Sequence, residues 1–142
     1  MKVLFVCTGN MCRSPAAEKL LNLYGAAAGF EARSRGTGAQ PYCSMPAQVQ
    51  RFLKGAGVTD LTHKPALVTE ADIDWADLVL VMEDAHAGIL AEKFPQSMRK
   101  TRLLTGADLQ DPMRKSDEVY QAVLTKIQQA VKALAAQGAR SN

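Results

Sequence analysis

The sequence predicts an α/β fold, a three-layer sandwich in which a central four-stranded parallel sheet carries helices on both faces. Three observations lead there. The runs Val3-Leu4-Phe5-Val6 and Ala76-Asp77-Leu78-Val79-Leu80-Val81-Met82 are largely apolar rather than alternating, as strands covered on both faces are. Such runs alternate along the chain with segments of helical spacing, which implies parallel strands joined by crossover helices. The length of 142 residues, 47% hydrophobic and 22% charged, suits one globular domain expected over residues 1–142.

Taken in order, residues 1–6 form the first strand. Ser14 is the expected N-cap of the first helix with Pro15 at its first position, and Ala16, Ala17, Leu20, Leu21 and Tyr24 recur at helical spacing until Gly25 or Gly29. A second strand over 30–34 leads into Gly36-Thr37-Gly38, where the backbone can approach a ligand or another loop closely. After an irregular stretch over 40–45, Pro46 opens a helix carrying Val49, Phe52, Leu53 and Ala56, closed by Gly57. Beyond the polar loop Thr62-His63-Lys64-Pro65, Thr69 caps a short helical turn. The remaining expectations are a strand over 76–82, a helix over 83–94, a short strand over 101–104 and a long helix over 116–136 with Val119, Val123, Ile127, Val131 and Leu134 inward.

Composition excludes several classes. The net charge of +3, from 17 Lys and Arg against 14 Asp and Glu, is mild and scattered, so no nucleic acid partner is expected. No signal-peptide core and no apolar stretch near the ~18 residues of a membrane span is visible, so no membrane partner is expected either. Cysteines at 7, 12 and 43 form an odd set without zinc-finger spacing. That argues against a disulfide framework and a metal site, and fits a reducing cytoplasm.

The chemistry concentrates in Cys7-Thr8-Gly9-Asn10-Met11-Cys12-Arg13-Ser14-Pro15, a tight loop between the first strand and the first helix. Its geometry suits one small tetrahedral anion, phosphate above all. Loop amides and the helix N-terminus would face the anion, and the Arg13 fork would grip two of its oxygens. The same field favours a sulfur anion at Cys7, with the Ser14 hydroxyl as a donor to it. Phosphoryl transfer also needs an acid for the leaving oxygen. Among Asp108, Asp111 and Asp117, Asp111 is favoured because Pro112 stiffens its backbone, whereas Asp117 reads as a first-turn helix residue. His86 reads as a solvated helix residue, Glu83-Asp84 as a helix start and Cys43 as an incidental loop thiol.

These residues, together with Asp111-Pro112, Ser34, Gly36-Thr37-Gly38, His63 and the strand 77–82 with the acidic residue after it, closely resemble the low-molecular-weight protein tyrosine phosphatases over nearly the whole chain. The resemblance implies Cys7 as the nucleophile forming a cysteinyl phosphate, Arg13 as the transition-state clamp and Asp111 as general acid, then base. It places Thr8, Gly9, Asn10, Met11 and Cys12 in the phosphate loop, supported by Asn10, Ser14, Ser34 and His63 in a hydrogen-bond network. Cys12 matches a second cysteine that can pair reversibly with Cys7. No metal and no organic cofactor is implied. The implied partner is a phosphorylated protein, with a tyrosine kinase as candidate, and the chain is expected as a monomer or weak dimer.

The chain departs from the family at Gln40 and at Met113-Arg114, where aromatic residues are usual, so the expected substrate rim is Gln40, Tyr42 and Met113. The stretch 76–94 resembles the bacterial branch that includes protein-arginine phosphatases. In that branch threonine stands at the position of Met11, and the bulk of Met11 points to an aryl phosphomonoester instead. Two other readings are weaker. Arsenate reduction on the same fold needs further relay cysteines, which the segment after Met82 lacks, and a non-catalytic phosphate-binding module has no need of Cys7 and Asp111 together.

Overall fold

A computed structural model describes residues 1–141, with side chains described through residue 138. Strands β1 (Lys2–Cys7), β2 (Glu31–Gly36), β3 (Leu78–Val81) and β4 (Thr101–Leu103) form a parallel sheet in the order β2-β1-β3-β4. Helices α1 (Arg13–Tyr24), α2 (Ala47–Ala56) and α5 (Asp117–Ser141) cover one face, and α3 (Glu70–Trp75) and α4 (Asp84–Lys93) the other. The expected three-layer α/β architecture is therefore present.

Strand β1 is central because both of its faces are apolar. Its side chains alternate with period two, so Val3, Phe5 and Cys7 join the larger core beside α1, α2 and α5. Leu4 and Val6 join Ile73 of α3 and Leu90 of α4 on the other side. Cys7 pairs with Gly36 at the last rung of the β1–β2 ladder. The site thus begins at the carboxyl ends of adjacent parallel strands, where open α/β sheets bind ligands.

Several boundaries differ from expectation for local reasons. Ser14 is not the N-cap of α1: Cys12 occupies that position without a side-chain cap, and Ser14 lies buried within the first turn. Its hydroxyl is drawn to the Cys7 sulfur 2.9 Å away instead of to the helix backbone. A 3₁₀ turn over Pro95–Lys100 follows α4, because the residue before a proline is pushed out of the helical region; Phe94 has φ −136° and ψ 78°. Helix α5 runs past residue 136 to Ser141. Thr69 does cap α3, in a reciprocal box with Asp72.

Strand β2 runs two residues past 34, to Gly36, where it knits three segments together. The Gly36 N–H donates to the Ala66 carbonyl, 2.9 Å, and its carbonyl accepts from the Val68 N–H, 3.0 Å. A Cβ at this position would collide with the Thr8 carbonyl oxygen and lie 3.1 Å from Asn10 Cβ. Gly36→Ala is therefore expected to overpack the loop at a cost of about 1–3 kcal/mol, lowering Tm by several degrees. A thermal melt checks this, and an unchanged Tm would show that the two loops separate freely.

Candidate active site

The chain leaves β1 at Cys7, turns through residues 8–11 and enters α1 at Arg13. The turn puts Asn10 at φ 56°, a left-handed conformation that asparagine tolerates better than most residues. Fully buried Asn10 is held from four directions. Its Nδ2 donates to Ser14 Oγ at 2.9 Å and Ser34 Oγ at 3.0 Å, its Oδ1 accepts from the Ala66 N–H at 3.0 Å, and its carbonyl lies 2.6 Å from His63 Nε2. The Ser34 hydroxyl donates in turn to Glu18 Oε1 at 2.8 Å. The residues expected to support the loop are thus brought together, with Glu18 as an additional member.

Because Ser14 accepts from Asn10, its proton is free for the Cys7 sulfur, and the contact to the Arg35 carbonyl is longer at 3.4 Å. An O–H aimed at sulfur, with uncapped first-turn amides of α1 nearby, stabilises negative charge on Cys7. Arg13 is only 2% exposed. Its Nη1 donates to Glu83 Oε2 and to the Leu109 carbonyl, both at 2.7 Å. The remaining edge of the guanidinium has no hydrogen-bonded partner among the described residues, and Asp111 Oδ2 stands 3.9 Å from Nη2.

A cleft of about 170 Å³ opens here, lined by Cys7, Thr8, Gly9, Met11, Cys12, Arg13, Asp111 and Met113. Asp111 is half exposed at its rim, and its Oδ1 accepts from the Met113 N–H at 3.1 Å, which fixes the turn. Met113 Sδ accepts from Cys12 Sγ at 3.2 Å and from the Tyr120 hydroxyl at 3.7 Å. Burial, then the neighbouring Cys7, push the Cys12 thiol up to about 12, and burial pushes the Tyr120 phenol up to about 12 as well. Cys12 is accordingly a neutral thiol at physiological pH, and both Cys7 and Cys12 are free.

Of the three residues expected at the substrate rim, Met113 lines the cleft. Gln40 and Tyr42 do not line the cleft. Buried Ala39 and Met45 anchor the ends of their loop, so residues between them arch into solvent, and Tyr42 is 83% exposed. Met11 takes over as the second apolar wall opposite Met113.

Three partners escaped the sequence reading. His86, expected to be solvated, is 2% exposed. Its Nδ1 accepts from the Glu83 N–H at 3.1 Å, its Nε2 lies 2.9 Å from Thr8 Oγ1, and burial followed by the Arg13 charge holds its pKa below the usual 6.5. Glu83, read as a helix start, is both the N-cap of α4 and the anchor of Arg13. The signal was available: both residues follow a buried strand at the ligand-binding end of a parallel sheet, three positions apart on one helical turn. Glu18 lies one turn after Ser14 on the same face of α1. Among the described residues no group of three or more His, Cys, Asp or Glu is arranged to hold a metal ion, and no helix is long and apolar enough to cross a membrane.

Comparison with known proteins agrees with this geometry. Residues 2–141 match the family described as low molecular weight phosphotyrosine protein phosphatase. A protein-arginine-phosphatase of Geobacillus stearothermophilus is 34% identical over 94% of this chain and 93% of that protein. The low molecular weight protein-tyrosine-phosphatase Wzb of Escherichia coli K12 is 32% identical over 92% of this chain and 90% of its own length. Among solved structures, Vibrio vulnificus Wzb in complex with benzylphosphonate superposes with a TM-score of 0.88 at 29% identity, covering 96% of this chain and 97% of that one.

Proposed function

The chain belongs to the low-molecular-weight phosphotyrosine protein phosphatase family, and from that premise we propose that it hydrolyses phosphotyrosine in protein substrates through a cysteinyl phosphate on Cys7. The observation that carries this reading is the convergence of the Cys7 sulfur, backed by the buried Ser14 hydroxyl, with the free edge of Arg13 and Asp111 on one cleft.

The phosphoryl group enters with three oxygens toward the loop amides and Arg13, which matches donors to where charge gathers in the transition state. The Cys7 sulfur attacks phosphorus and the bond to the ester oxygen breaks. Asp111 donates its proton to that oxygen, so a neutral phenol departs. Asp111, now ionised, takes a proton from water as it attacks the cysteinyl phosphate, releasing inorganic phosphate and restoring the thiolate. Ser14 stabilises the sulfur both before attack and as a leaving group.

The substrate side is apolar: Met11 and Met113 wall the entrance. Thioethers contact aromatic rings favourably, which supports an aryl ester. The partner on this reading is a phosphorylated protein, a tyrosine kinase being the candidate. The similarity to a protein-arginine-phosphatase favours a second reading, phosphoarginine hydrolysis. Side-by-side assays of phosphotyrosine and phosphoarginine peptides without added metal separate the two. The wild type is expected to turn over phosphotyrosine with the higher kcat/KM. Met11→Thr is expected to narrow the gap several-fold, as loss of a sulfur–aromatic contact worth about 0.3–1.5 kcal/mol implies. A wild-type preference for phosphoarginine would reverse the assignment.

A further inference from the structure

The first turn of α4 reaches into the loop through a ring that the reaction above does not use. His86 is buried against Thr8, with both ring nitrogens engaged. Nδ1 accepts from the Glu83 N–H at 3.1 Å, so it carries no hydrogen, and the neutral ring holds its single N–H at Nε2. Thr8 Oγ1 lies 2.9 Å from Nε2, whereas Glu83 Oε2 is 3.9 Å away, outside hydrogen-bond range. Thr8 must therefore accept. A hydroxyl that accepts one bond keeps its own hydrogen for another partner, and none of the described residues takes it. The Thr8 methyl faces Gly38, while the residue itself lines the cleft beside Cys7.

We propose that His86 is a positioning residue that turns the Thr8 hydroxyl into a hydrogen-bond donor for the bound phosphoryl group, adding a side-chain donor to the backbone amides of the loop. The proposal rests on the phosphomonoester reading of the cleft. The charged groups facing the ring are Arg13 from α1, Glu83 from its own turn, and Asp108 and Asp111 from the loop after β4. Burial, then the Arg13 charge, hold the ring's pKa below its ordinary value, and a proton on Nδ1 would face the Glu83 N–H head on, so the ring keeps its N–H at Nε2, toward Thr8.

Two substitutions separate the two ends of the ring. In His86→Asn the amide oxygen overlays Nδ1, keeping the acceptor for Glu83 but losing reach to Thr8. In His86→Gln the amide nitrogen overlays Nε2 and keeps the donor to Thr8. With p-nitrophenyl phosphate, His86→Asn and Thr8→Val are each expected to lower kcat/KM about tenfold, the size of one hydrogen bond to a charged group. The double variant should fall no further than Thr8→Val alone, and His86→Gln, which retains the donor, should stay within about threefold of wild type. The inhibition constant of inorganic phosphate should rise in step. His86→Asn at wild-type kcat/KM, a multiplicative double variant, or His86→Gln as impaired as His86→Asn would each overturn the proposal. Wild-type turnover tests the underlying reading separately. Protection of Cys7 from iodoacetamide by inorganic phosphate probes the Thr8 contact without turnover, and equal protection in wild type and Thr8→Val would also overturn it.

Discussion

Cys7→Ser is expected to reduce hydrolysis of aryl phosphates by about four orders of magnitude or more, because the variant removes the nucleophile rather than weakening it. The surroundings of the sulfur are arranged to favour an anion: the Ser14 hydroxyl 2.9 Å away, the uncapped start of α1 and the buried guanidinium of Arg13. A serine hydroxyl in the same surroundings is a far weaker nucleophile than the sulfur. The fold should persist, since Cys7 contributes only a small side chain to a core built by Val3, Phe5, Leu20 and Leu21. Inorganic phosphate should still bind, because the amides and Arg13 are untouched. Steady-state assays with p-nitrophenyl phosphate, together with mass spectrometry of acid-quenched wild type for phosphate on the Cys7 peptide, check both halves. Full activity in Cys7→Ser would end the cysteinyl-phosphate mechanism.

Arg13→Lys comes next, with an expected loss of about a thousandfold in kcat. Charge is conserved in this variant, so the loss isolates geometry. Arg13 uses Nη1 to hold Glu83 and the Leu109 carbonyl at 2.7 Å each, while its other edge faces the cleft. On the proposed mechanism one guanidinium performs two tasks, tethering to the wall and gripping an anion. A single ammonium has to choose between them, and Glu83, the nearest carboxylate, will claim it. Phosphate inhibition should weaken alongside kcat. The melting temperature should fall as well, since the Leu109 carbonyl loses its donor in a buried setting. A lysine variant within tenfold of wild type would remove Arg13 from the role of clamp.

The loop from Cys7 to Pro15 was legible in the sequence because its parts are contiguous: a strand end, a turn and a helix start lie within nine residues, and their chemistry follows from local geometry. The parallel sheet was legible for a related reason, since β1 and β3 are apolar on both faces. What escaped was carried by residues distant in the chain. Glu83 and His86 look like an ordinary helix opening until β3 is placed beside β1, which brings them under Arg13 and Thr8. Ser14 was expected both as a cap and as a donor to the Cys7 sulfur; α1 starts at Arg13 with Cys12 as its N-cap, so the cap role falls away and the contact to sulfur stays. Gln40 was expected at the rim by family position and Tyr42 from the same loop; the buried ends of that loop, Ala39 and Met45, leave Tyr42 exposed between them, a course that no local sequence signal fixes.

The pairing of Cys7 with Gly36 on the last rung of the ladder makes strand register a catalytic variable. Side chains alternate along β1, so the sulfur looks toward Ser14 only because Val3 and Phe5 look toward the same core. Inserting or deleting one residue anywhere in that strand would leave the nine-residue loop letter-perfect and still rotate the nucleophile to the opposite face of the sheet. Length changes between Gln40 and Ser44, where the chain already arches into solvent, carry no such penalty. Tolerance to insertion and deletion is therefore set by distance from the ladder rather than by distance from the motif.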